Sequence, residues 1–271
     1  MSANKLRLYG YNNLTKSLSF NIYDVCYAKT QSEKREYLAY INEAYNSERL
    51  TEILLALCND IGAVVLNLSK QDYDPMGASV DLLIADHPVP EALIDASNNR
   101  GSLPSPYALN AHLDKSHVSV HTFPESHPNA PISTFRVDID VATCGQISPL
   151  ASLERLIAAF ESDVISIDYR IRGFTRSEDG QMHFLDHEIE SICDFMEAET
   201  LARYEIIDRN YTSAFLYHSR LMKRDLKLEE YLFKRRPDSL SNSEAASIEA
   251  QLRQEMAKIF YAGFAAEFSH D

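Results

Sequence analysis

The segment from Thr134 to Thr143 reads TFRVDIDVAT, with Phe135, Val137, Ile139 and Val141 on one side of an extended chain and Arg136, Asp138 and Asp140 on the other. Strand side chains alternate with a period of two, so this pattern demands a sheet with one face on a core and one polar face. His112 to Thr122 and Val164 to Phe174 repeat the alternation. One-sided burial of this kind belongs to antiparallel sheets, because parallel ones are covered on both faces and read as continuous apolar runs. Ala63 to Leu68 and Ala78 to Ala85 are shorter apolar strands, and Lys5 to Tyr11 alternates too.

Helical spacing interleaves with these strands. Ser32 to Tyr45 carries Tyr37, Tyr40, Ile41 and Ala44, with Ser32 as the N-cap. Glu48 to Ile61 lines up Leu50, Ile53, Leu54 and Leu57, and Gly62 supplies the left-handed stop. Pro149 to Phe160 is amphipathic. Asp86 to Pro106, with Pro88, Pro90, Pro104 and Pro106, reads as a loop or exposed linker. Beyond Gly180 the pattern turns helical, in Glu188 to Ile207 and in Ser243 to Phe260 with Ile248, Leu252, Met256, Ile259 and Phe260. The expected fold is α+β and one domain over 1–271: a mainly antiparallel sheet packed against helices on one face as a two-layer sandwich, with a helical C-terminal extension over 180–271.

Composition removes several classes of function. A net charge of −14 opposes non-specific nucleic-acid binding and docking on an anionic membrane. No signal-peptide pattern and no stretch of transmembrane length occurs. Cys26, Cys58, Cys144 and Cys193 are scattered without a CxxC pair and read as reduced thiols of a cytoplasmic protein. GxGxxG, GxxxxGK[ST] and GxSxG are all absent, which sets aside the common nucleotide-binding and nucleophile-elbow motifs.

Chemistry-bearing residues concentrate in Lys115 to Glu125 (KSHVSVHTFPE) and in Thr143-Cys144-Gly145. Taken singly, Ser116 reads as a strand hydroxyl, His121 as a structural imidazole and Cys144 as a small buried residue at a strand end. Ser116 and His121 lie five positions apart, so on a regular strand they face opposite ways unless a bulge intervenes. Phe123 beside Glu125 suits a planar ring and a pair of hydroxyls, or an ordinary loop. Asp186, His187 and Glu188, with His183 upstream, have metal-compatible types without a recognised ligand spacing, so any metal site is unknown.

In this order, KSHVSVHTFPE and Ala142 to Gly145 (ATCG) resemble the processing and catalytic motifs of bacterial S-adenosylmethionine decarboxylase proenzymes. Gly10 to Phe20, Asp72 to Ser79, Asp163 to Arg176 and His183 to Glu188 resemble the longer, enterobacterial-type branch, so the likeness spans the chain. It implies self-cleavage between Lys115 and Ser116, giving a β chain of residues 1–115 and an α chain of 116–271 capped by a pyruvoyl group made from Ser116. It further implies a Schiff base between that ketone and S-adenosylmethionine, and decarboxylated S-adenosylmethionine as the product that donates aminopropyl groups to spermidine. His121 would be the proton acceptor in processing, Cys144 the proton donor in catalysis, and Phe123 and Glu125 the adenine and ribose contacts. Mg²⁺ as activator and self-association of αβ units are implied as well. A sharp backbone turn at Lys115–Ser116 is expected if Ser116 and His121 are to meet. The competing readings are a pyruvoyl-dependent arginine or ornithine decarboxylase of the same fold and a non-catalytic regulatory homologue.

Overall fold

The computed structural model describes residues 14–85, 116–145, 147–160 and 162–261. In chain order the elements are β1 (Thr15–Tyr27), α1 (Gln31–Ala44), α2 (Ser47–Ile61), β2 (Val64–Asp72), β3 (Ala78–Ala85), β4 (Ser116–Ser126) and β5 (Ile132–Cys144). There follow α3 (Leu153–Ala159), β6 (Val164–Arg172), a small β7–β8 hairpin (Thr175–Arg176 and Met182–His183), β9 (Tyr204–Tyr211), β10 (Leu216–Lys223) and α4 (Asn242–Phe260). Eight strands form one sheet in the order β2-β3-β4-β5-β1-β6-β10-β9, every pair antiparallel.

The alternation read in the sequence sets the two faces. Val118 and Val120 of β4, Phe135 to Val141 of β5 at alternate positions, and Ile165 and Ile167 of β6 point to the inner face. Leu50, Leu54 and Leu57 of α2 and Leu153, Leu156 and Ile157 of α3 pack on that face in one continuous core. Each such side chain contributes about 1.5–3 kcal/mol by leaving water, before the entropy of ordering it is subtracted. Gly62 ends α2 with φ +74, the left-handed conformation its missing Cβ permits. Helix α1 is capped by Thr30, one residue outside the helix, through a reciprocal box with Glu33, and not by Ser32.

The α+β class and antiparallel sheet are as the alternation requires, but the C-terminal third departs from the mostly helical reading. Within Glu188 to Ile207 only short helical segments form, at Ile192–Phe195 and Ala198–Arg203, and the chain then enters β9. Tyr204, Ile206, Ile207 and Tyr211 are β-branched or aromatic and fit a pleated surface better than a helix. The chain reverses through Thr212–Ala214 and Phe215, at φ +52, so β9 and β10 extend the sheet edge instead of forming a separate extension. Helix α4 also sits on the opposite face from α1 to α3. Its Ile248, Leu252, Met256 and Phe260 cluster with Val25, Tyr27, Ile132 and Val164, which are outward-facing by register. The sheet is therefore covered on one face throughout and on the other only at one end. Leu252→Ala should destabilise the protein by about 2–5 kcal/mol, read as a lowered urea midpoint, because the side chain is fully buried at that contact.

Strand β1, central in the sheet, has no counterpart in the sequence reading. Its inner positions are Lys16, Leu18, Phe20 and Ile22, and the lysine interrupts the apolar pattern at its first member. Lys5 to Tyr11, Asp86 to Pro106 and His112 to Lys115 lie outside the described residues.

Candidate active site

Ser116 opens β4 on its inner face and is 5 % exposed. Cys144 closes β5 on the outer side, opposite Thr15 of β1. These two strand ends lie side by side, and the Cys144 backbone N–H donates to Ser116 Oγ at 2.8 Å. The Cys144 thiol lies 3.7 Å from Thr15 Oγ1. Gly145 follows with φ +74, so β5 turns away immediately after the thiol. The Gly145 carbonyl accepts a hydrogen bond from Lys16 Nζ at 3.0 Å.

Lys16 is 1 % exposed, and a charge that deep requires a partner. It has one in Asp186, 2.6 Å away. The other Asp186 oxygen meets His187 Nδ1 at 2.6 Å, and His187 Nε2 lies 3.3 Å from Tyr169 OH. Burial alone would raise the Asp186 carboxyl, but the His187 hydrogen bond and the Lys16 ammonium outweigh it and hold it down at about 2. Asp186 and His187 are thus engaged with each other, a lysine and a tyrosine. Among the described residues no three His, Cys, Asp or Glu side chains converge as a metal site would require.

His121, Phe123 and Glu125 occupy the outer face of β4. His121 Nδ1 is 3.4 Å from Tyr73 OH, and its ring lies 6.5 Å from that of Phe123 with 27° between the planes. Arg136 places its guanidinium 4.5 Å from the Phe123 ring centroid and pairs with Asp138. Phe123 remains 42 % exposed, and Glu125, opposite Thr134, is exposed too.

The expected site residues thus form two groups. Strand β4 pairs in unbroken register with β3 from Ser116 to His121 and with β5 from His117 onward, so no bend intervenes and the two side chains face opposite ways. At about 3.3 Å per residue, Ser116 and His121 are roughly 17 Å apart along the strand. Cys144 lies eight positions beyond Arg136, the register partner of Phe123, or roughly 26 Å. Lys115, where the sharp turn was expected, lies outside the described residues.

Sequence reasoning missed Thr15, Lys16, Tyr73 and Arg136. The signal for Lys16 was present: a charged residue in phase with Leu18, Phe20 and Ile22 is a core position that needs a reason. The cysteines also separate by environment. Burial pushes the thiols of Cys26 and Cys58 up to about 12, which makes them inert, whereas Cys144 is half-buried.

Comparison with known proteins bears on this arrangement. Residues 38–173 match the family model described as S-adenosylmethionine decarboxylase. The S-adenosylmethionine decarboxylase proenzyme of Clostridium beijerinckii is 53% identical over 260 residues, covering 95% of this chain and 96% of that protein. That of Alkalilimnicola ehrlichii is 52% identical over 256 residues, covering 94% of each. With a serine hydroxyl held by the peptide N–H of Cys144 where two strands end, and with relatives this similar along nearly its whole length, the chain is an enzyme of the S-adenosylmethionine decarboxylase family.

Proposed function

We propose that the protein decarboxylates S-adenosylmethionine after cutting itself between Lys115 and Ser116. The observation that carries this is the hydrogen bond from the Cys144 N–H to Ser116 Oγ, which fixes the hydroxyl at the first residue of β4 beside the strand end that carries a half-buried thiol. Attack of Ser116 Oγ on the Lys115 carbonyl turns the amide into an ester. Loss of the Ser116 Cα proton then expels the Lys115 carboxylate, and hydrolysis with release of ammonia leaves a pyruvoyl cap on residue 116. That ketone supplies the electron sink that carbon dioxide release needs. Cys144 gives the proton to the substrate carbon, Phe123 offers one ring face to the adenine while Arg136 holds the other, and Glu125 takes the ribose hydroxyls. The product is the aminopropyl donor for spermidine, made by a cytoplasmic enzyme; the four free thiols suit a reducing compartment.

Two chains complete one site in this proposal. A second copy laid antiparallel over the part of the outer face that α4 leaves open carries its His121, Phe123 and Glu125 towards the Cys144 thiol of the first, at the strand end where residue 116 also lies. The separations of roughly 17 and 26 Å within one chain, at 3.3 Å per residue, support this arrangement. Co-expression of Cys144→Ala with Phe123→Ala chains should restore decarboxylation that neither variant has alone; two inactive parents giving an inactive mixture would rule the shared site out. Mg²⁺ is kept in this reading as an activator, with no ligands assigned to it.

Incubation with carboxyl-labelled S-adenosylmethionine, arginine and ornithine separately tests the substrate. Labelled carbon dioxide from S-adenosylmethionine alone is expected, and release from an amino acid instead would transfer the assignment to a decarboxylase of different specificity. A single uncleaved and inactive chain would favour a regulatory role. His121→Ala should lengthen the half-time of cleavage at least about 10-fold, as loss of a general base does, followed on denaturing gels.

A further inference from the structure

Thr15 and Lys16 are adjacent residues on opposite faces of β1, and both reach the turn that ends β5. Thr15 meets the Cys144 thiol from the outer face. Lys16 meets the Gly145 carbonyl from the inner face. The Cys144 N–H is held by Ser116 Oγ. The turn residue, Gly145, is in the left-handed region, where a peptide lacking a Cβ can rotate unless its carbonyl is tied down. Burying an ammonium at 1 % exposure is expensive, and well-packed apolar side chains usually serve stability as well or better. A lysine at this inward position is therefore better explained by what it holds than by the stability it adds.

We propose that Lys16, set by Asp186 and His187, is a positioning residue for the Cys144 thiol: it anchors the Gly145 carbonyl so that the thiol stays on the outer face against Thr15. Asp186 accepts from Lys16 with one oxygen while its other lies against His187 Nδ1, so the ammonium is aimed and not merely neutralised. His187 is in turn fixed through Tyr169 OH. The chain of contacts runs Tyr169, His187, Asp186, Lys16, Gly145, Cys144, crossing from the core side of the sheet to the side on which the thiol lies. This role rests on the proposed part of Cys144 in the reaction, but its geometry can be read without any turnover.

The readout is iodoacetamide labelling of each cysteine, followed by peptide mass spectrometry in the uncleaved Ser116→Ala chain and in the mature enzyme. Lys16→Met, which keeps the side-chain length and removes the charge, should speed labelling of Cys144 about 5-fold while Cys26 and Cys58 stay protected. In the mature enzyme the same substitution should lower kcat about 30-fold with KM changed less than about 3-fold, the pattern of an interaction that matters in the transition state. Asp186→Asn, which releases the lysine without removing it, should shift both readings in the same direction by a smaller factor, and serves if Lys16→Met does not fold. Parallel labelling of Cys58 and Cys144 would mean general loosening and would overturn the proposal, as would unchanged Cys144 labelling. A Cys144→Ala enzyme with full turnover would remove the thiol from the reaction, yet the labelling result would still stand or fall on its own.

Discussion

Ser116→Ala should yield a single 271-residue chain with no decarboxylase activity above background, seen as one band on a denaturing gel and one intact mass. The effect is total because one oxygen atom serves both events: without Oγ there is no nucleophile to open the Lys115–Ser116 peptide, and without that opening no ketone forms. The fold should survive. The lost hydroxyl leaves one backbone N–H, that of Cys144, without its acceptor, a penalty of about 1–3 kcal/mol at a half-buried strand end. Two fragments from this variant would place the cleavage elsewhere.

Cys144→Ala should separate the two stages. Its backbone N–H is unchanged, so Ser116 Oγ keeps its donor and cleavage should proceed. Turnover should fall about 10²–10⁴-fold, the usual loss when a positioned general acid is removed. Measuring fragment formation and kcat on the same preparation checks both halves. A variant that fails to cleave would show that the thiol itself, and not only its peptide, acts in maturation. Alkylation is a poor substitute for this mutation, since the adduct would also crowd Thr15 at the end of β1.

The polar residues of Lys115 to Glu125 and of Thr143 to Gly145 were legible in the sequence because chemistry and periodicity disagree there. Ser116, His121 and Cys144 are costly in a sheet unless they are partnered, and each sits where the alternation places it, on β4 or β5. Their grouping was not legible. Parity correctly put Ser116 and His121 on opposite faces, and the unbroken register of β4 removes the bend that would have joined them. Which residues gather is decided by strands distant in sequence, and β1 brings Thr15 and Lys16 to the site from about 130 positions away. Strand β9 was hidden for a different reason: apolar pairs such as Ile206 and Ile207 satisfy a helical window as well as an edge strand, and only pairing with β10 decides between them.

The order of strands has a consequence for the molecule if it is cut between Lys115 and Ser116 as proposed. Strands β1, β2 and β3 would belong to the fragment 1–115, and β4 to β10 to the fragment 116–271. Yet β1 lies between β5 and β6, bonded to both, while β3 is bonded to β4. The two polypeptides are woven through a single hydrogen-bonded fabric, so neither can be drawn out while the other stays folded. Cleavage as proposed would therefore create new chain ends without creating separable parts, and the cut enzyme should melt as one cooperative body, at a temperature that falls on dilution because two chains part when it unfolds.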